Sequence, residues 1–86
     1  MAWVYILETN VGRYYIGSTH DLKKRLRQHE LGHTYTTANF GVKKLLLSQE
    51  YKTLKEARSV ERKIKRLKRK DYIEKMIKEG YIRLEP

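Results

Sequence analysis

Trp3-Val4-Tyr5-Ile6-Leu7, a turn containing Asn10 and Gly12, and then Arg13-Tyr14-Tyr15-Ile16-Gly17 form the stretch that decides the fold. The first run is aromatic and β-branched with no polar interruption, so it reads as a buried strand. The turn returns the chain, and Arg13 to Gly17 becomes the hairpin partner. Side chains alternate along strands, so Tyr5 shares a face with Trp3 and Leu7, and Tyr15 with Arg13 and Gly17. A hairpin closing over residues 8–12 sets Leu7 opposite Arg13 and Tyr5 opposite Tyr15. Two phenols then lie side by side, with Gly17 leaving open space beyond them. Cross-strand aromatic packing, at ~0.2–1 kcal/mol, accounts for such a pair by itself.

Beyond the hairpin, Ser18-x-x-Asp21 reads as a helix-start box, and Leu22, Arg25, Leu26 and His29 repeat at helical spacing until Gly32. Val42 to Tyr51, carrying Leu45-Leu46-Leu47, reads as a third strand. Leu54, Ala57, Val60, Ile64 and Leu67 form an apolar stripe that predicts a helix from Thr53 to Lys70. Asp71 opens a last short helix with Ile73, Met76 and Ile77 inward, ended by Gly80. The order is ββαβαα: an α+β fold with a small three-stranded antiparallel sheet flanked by helices. The 86 residues allow a single domain, 1–86, with its core over about residues 3–79.

The absence of cysteine excludes disulfides and thiolate metal sites. A hydrophobic content of 40% argues against disorder. No apolar run reaches the length of a membrane span, and no secretory signal is visible, so a cytoplasmic protein without a membrane partner is expected. Charge is more telling. Twenty Lys and Arg against ten Asp and Glu leave +10, a surplus that suits a polyanion such as nucleic acid. It is concentrated in residues 55–70, which hold nine basic residues and two acids, Glu56 and Glu61. A solvated surface explains abundant charge, but not this imbalance.

Three further residues carry potential chemistry. Arg25 and His29 lie one turn apart, flanking the Leu22/Leu26 surface of their helix. Arg25 is either a rim residue with its head in water or a guanidinium aimed at phosphate oxygens. Glu61 sits at the edge of its helix's apolar stripe. It is either an i,i+4 partner of Lys65 or a lone carboxylate at a cleft rim suited to Mg²⁺. Lys65, Lys68 and Arg69 share Glu61's side of the helix and are the expected nucleic-acid contacts, whereas Lys63, Arg66 and Lys70 point elsewhere. A His29/His33 metal pair is disfavoured, because Gly32 falls between them and no third ligand is evident.

Val4-Tyr5, Tyr15-Ile16-Gly17-Ser18-Thr19, Asp21-Leu22-x-x-Arg25-x-x-x-His29-x-x-Gly32 and Glu61 on a basic helix occur in an order that resembles the GIY-YIG nuclease superfamily, especially its small stand-alone members. The likeness spans roughly residues 3–79. The second tripeptide is intact, the first keeps only its tyrosine, and no Asn follows Asn39, where some of these nucleases carry a functional one. The resemblance implies a metal-dependent endonuclease acting on DNA ahead of RNA, with weak sequence specificity, in repair or recombination. It implies one Mg²⁺ (or Mn²⁺) on Glu61 and Arg25 on a non-bridging phosphate oxygen. Tyr5 is then the general base, alone or relayed through His29, Tyr15 orients water or phosphate, and Gly17 shapes the site. The five functional side chains are expected to converge on one cleft. The alternative is a catalytically weak or inactive nucleic-acid-binding module of the same fold.

Overall fold

The computed structural model describes residues 1–30, 42–67 and 69–85, excepting the side chains of His29, Glu30, Val42 and Lys43. Among these residues the elements are β1 (Ala2–Thr9), β2 (Tyr14–Thr19), α1 (Leu22–Glu30), β3 (Val42–Tyr51), α2 (Leu54–Leu67) and α3 (Lys70–Glu79). The strands form one antiparallel sheet in the order β2-β1-β3, as the ββαβαα pattern predicts. The uninterrupted apolar run of β1 follows from this position: the central strand buries side chains on both faces. Val4 and Ile6 belong to the main core, and Tyr5 and Leu7 are buried on the other face.

The core joins Val4, Ile6 and Ile16 to the apolar stripe of α2, whose Ala57, Val60 and Ile64 are fully buried. Each large apolar side chain buried in this way contributes about 1.5–3 kcal/mol. Ile73 and Met76 of α3 close the same core. Thr53 caps α2 by accepting the Glu56 N–H at 3.1 Å, and Gly80 ends α3 in the left-handed region at φ 83°.

Four local expectations change. The hairpin loop is Asn10–Gly12, not 8–12. Gly12 donates its N–H to the Thr9 carbonyl, the Thr9 N–H bonds the Arg13 carbonyl, and Gly12 takes the left-handed conformation at φ 78°. This is a three-residue hairpin turn, and it moves the register by two: Leu7 pairs with Tyr15 and Tyr5 with Gly17. Next, Ser18 does not start α1. Asp21 does, accepting the Lys24 N–H at 3.1 Å. Third, the helix expected through to Lys70 is broken at Arg69, which is extended, and Ile73 and Met76 of the following helix join the core; α2 is described as far as Leu67. Finally, Lys70 therefore opens α3 and reaches the Tyr14 ring at 5.5 Å, rather than pointing away on a longer α2. No helix among the described residues is long and apolar enough to cross a membrane.

Candidate active site on the edge strand

The outer strand β2 presents chemistry on both of its faces. Tyr15 and Gly17 share one face with Tyr5 and Leu7 of β1, while Ile16 and Ser18 share the other with Val4 and Ile6. The two phenol rings are diagonal neighbours rather than directly opposed, with centroids 6.3 Å apart and planes inclined by 29°. The Tyr5 ring lies over Gly17 so closely that a Cβ there would fall 2.6 Å from Tyr5 Cζ. Gly17 thus has no open space above it, contrary to the expectation. Its missing side chain is what admits the phenol.

Tyr5 is 1% exposed, and burial pushes its phenol well above the ordinary tyrosine range. Tyr15 adds to the rise, Arg25 opposes it, and Glu61 raises it further. The guanidinium does favour the charged form, but desolvation outweighs it.

On the other face, α2 brings Glu61 to the edge strand. Ser18 Oγ donates to Glu61 Oε1 at 2.5 Å, and Lys65 Nζ donates to Glu61 Oε2 at 2.6 Å. The expected i,i+4 pair is present, yet it engages only one carboxylate oxygen. The other is held by Ser18 across 43 positions of sequence. The sequence reading used Ser18 as a cap and missed this role. Strand alternation carried the signal, since Ser18 must face the helix that covers Ile16.

Arg25 is half-buried and lines a cleft of about 350 Å³ with Ser18, His20 and Arg58. A second depression of about 510 Å³ contains Glu61 and Arg62. Leu54 and Arg58 border both, so the guanidinium of α1 and the carboxylate of α2 open onto adjoining surfaces. Arg58 was not singled out by sequence because it is one of nine cations in its segment. The structure thus brings Arg25, Glu61 and Ser18 to one edge and sets the stacked phenols behind it on the opposite face. Tyr5 still interacts electrostatically with both Arg25 and Glu61. Of the five expected groups, Tyr5, Tyr15, Arg25 and Glu61 are thus gathered around the β2 margin. The His29 side chain lies outside the described residues.

Of the expected nucleic-acid contacts, Lys65 and Arg69 are exposed and hold Glu61 and Asp71 respectively; Lys68 lies outside the described residues. Glu61 is the candidate metal ligand. Among the described residues no group of three metal-ligating side chains occurs, which leaves a one-carboxylate arrangement. An ionised carboxylate offers about four acceptor positions, and Ser18 and Lys65 take two of Glu61's. The donor set suits Mg²⁺ held by one carboxylate with the rest supplied by substrate phosphate and water.

Residues 1–76 match the GIY-YIG catalytic domain. A UPF0213 protein of Streptococcus pneumoniae is 43% identical over 70 residues, covering 79% of this chain and 70% of its own length. A UPF0213 protein of Bacillus licheniformis is 36% identical over 83 residues, covering 91% and 84%. The solution NMR structure of a UPF0213 protein from Bacillus halodurans superposes with a TM-score of 0.58 at 29% identity, covering 93% of this chain and 87% of that one. The chain belongs to the GIY-YIG family, a nuclease-type family, and within it to the small UPF0213 proteins.

Proposed function

We propose that this protein is a metal-dependent endonuclease that hydrolyses DNA phosphodiester bonds with weak sequence specificity, in a repair or recombination setting. The observation that carries the reading is Glu61, held by Ser18 on the edge strand in a depression adjoining the Arg25 cleft. Phosphodiester hydrolysis requires a nucleophilic water and cationic groups for the charge that develops on phosphorus oxygens. Arg25 and Arg58 line that cleft, and a guanidinium's planar fork matches two phosphate oxygens. Glu61 would hold one Mg²⁺ or Mn²⁺, which supplies Lewis-acid stabilisation of the phosphate and its leaving oxygen.

The phenols have a narrower role than the resemblance implies. Burial pushes the Tyr5 phenol up and so disfavours it as a base; Tyr5 and the Tyr15 ring stacked with it serve to orient water or phosphate. His29, four residues after Arg25 in the sequence, is then the group that takes the water proton, a role suited to an imidazole near neutral pH. Exposed Lys65 and Arg69, with Lys68, supply sequence-independent contacts to the DNA backbone.

The test is a nicking assay with Mg²⁺ or Mn²⁺ on duplex, forked and single-stranded DNA. Wild type is compared with Tyr5→Phe, Arg25→Ala and Glu61→Ala, each checked for folding. Loss of cleavage in Arg25→Ala and Glu61→Ala is expected, and equal cleavage by all four would assign the activity to a contaminant. One observation favours a second reading, a binding module without hydrolysis: Lys65 already neutralises one oxygen of Glu61. That module would bind DNA with unchanged affinity after Tyr5→Phe and would nick none.

A further inference from the structure

A third concavity lies at the far end of α2 from Arg25, between the hairpin tip and the α2–α3 junction. Its volume is about 680 Å³, within the ~300–1,000 Å³ of ordinary ligand sites. Among the described residues, the cations Arg13, Lys65, Arg69 and Lys70 line it and no acid does. Its floor is apolar, formed by isoleucines such as Ile16 and Ile73, and Tyr14 stands in its wall. Lys70 Nζ lies 5.5 Å from the Tyr14 ring centroid, and the Tyr14 hydroxyl donates to Glu74 Oε1 at 3.3 Å, so the ring is tethered at its face and at its tip.

Two features point to the occupant. Lys65 and Arg69 hold Glu61 and Asp71 in exposed ion pairs. Such pairs contribute at most about 1 kcal/mol, so phosphate can replace either carboxylate at little cost. Backbone phosphates of a duplex need only cations, whereas an aromatic wall over an isoleucine floor suits an unstacked base. The groove also neighbours the candidate active site through Lys65, which lines it while bonding Glu61.

We propose that this groove seats an unpaired nucleic-acid strand leading away from the scissile phosphate. The position relative to the cut rests on the nuclease reading; the binding does not. The experiment therefore measures affinity without cleavage, by fluorescence anisotropy of a labelled oligothymidylate and of a blunt duplex in EDTA, over a range of salt. The double variant Arg13→Gln/Lys70→Gln is compared with Lys44→Gln/Lys78→Gln, which removes the same charge from exposed positions outside the groove. Thermal melts establish that both are folded.

The groove pair should weaken single-strand binding about tenfold and flatten its log–log salt slope by ~0.7 per lost contact. The control pair should change affinity less than about twofold, and the duplex should lose no more with the groove pair than with the control. Equal losses from the two pairs, no loss from the groove pair, or equal loss for duplex and single strand would each overturn the proposal. Absence of nicking in the separate assay would remove the nuclease reading while leaving this result standing.

Discussion

Ser18 and Glu61 are joined by a hydrogen bond that ties the outer strand to α2, and the carboxylate's other oxygen is held by Lys65. The acid's position is thus set by the sheet as well as by its own helix. Groups that orient a metal-binding or catalytic carboxylate typically contribute ~10–100-fold to affinity or activity. Ser18→Ala should reduce nicking by that range while Glu61→Ala abolishes it. A Ser18→Ala protein that cleaves like wild type would reduce the bond to a packing detail.

Gly17→Ala is expected to destabilise the domain by ~1–3 kcal/mol, the usual cost of overpacking. The new methyl would meet the Tyr5 ring, not only its hydroxyl, with Cζ at 2.6 Å. Tyr5→Phe therefore should not rescue Gly17→Ala. Denaturant midpoints of the two single variants and the double variant check this.

Tyr5 also makes stability depend on pH. Its phenol, ordinarily titrating at 10.0, is raised in the folded chain chiefly by burial. The folded state keeps a proton that the unfolded state releases, so this contribution is whole below about pH 10 and is lost as pH rises further. Wild type should lose stability more steeply than Tyr5→Phe as pH rises from about 10 to about 12. Tyr14 and Tyr51 are raised as well, but both remain in the variant, so the difference isolates Tyr5.

Gln49 clamps the segment after α3. Its Oε1 accepts the Ile82 N–H at 2.7 Å, and its Nε2 donates to the Ile82 carbonyl at 3.3 Å and the Tyr51 hydroxyl at 2.9 Å. Ile82 is buried, so removing its amide partner should cost ~1–3 kcal/mol. Gln49→Ala should speed amide exchange at Ile82 ahead of exchange in β1.

Much of this was written in local pattern. The uninterrupted apolar run Trp3–Leu7 announces a strand covered on both faces, and the third strand falls at Val42–Tyr51 as the sequence predicts. The hairpin register was not legible, because Thr9 extends β1 through its hydrogen bonds to Arg13 and composition does not reveal them. A slip of two residues preserves the face of every side chain, so Tyr5 and Tyr15 still meet. The elevation of the Tyr5 phenol was hidden too. It depends on how completely the second sheet face is covered, a tertiary quantity that outweighs the nearby guanidinium. Ser18's bond to Glu61 was readable only by combining strand alternation with helix phase.

The placement of β2 as the outermost strand has a topological consequence for any polymer that docks there. The cleft opens sideways from the sheet margin, so a long chain can lie across it without being threaded from a terminus. A covalently closed circle should be accepted as readily as a linear molecule, and the first product of attack on it would be a single interruption far from any end.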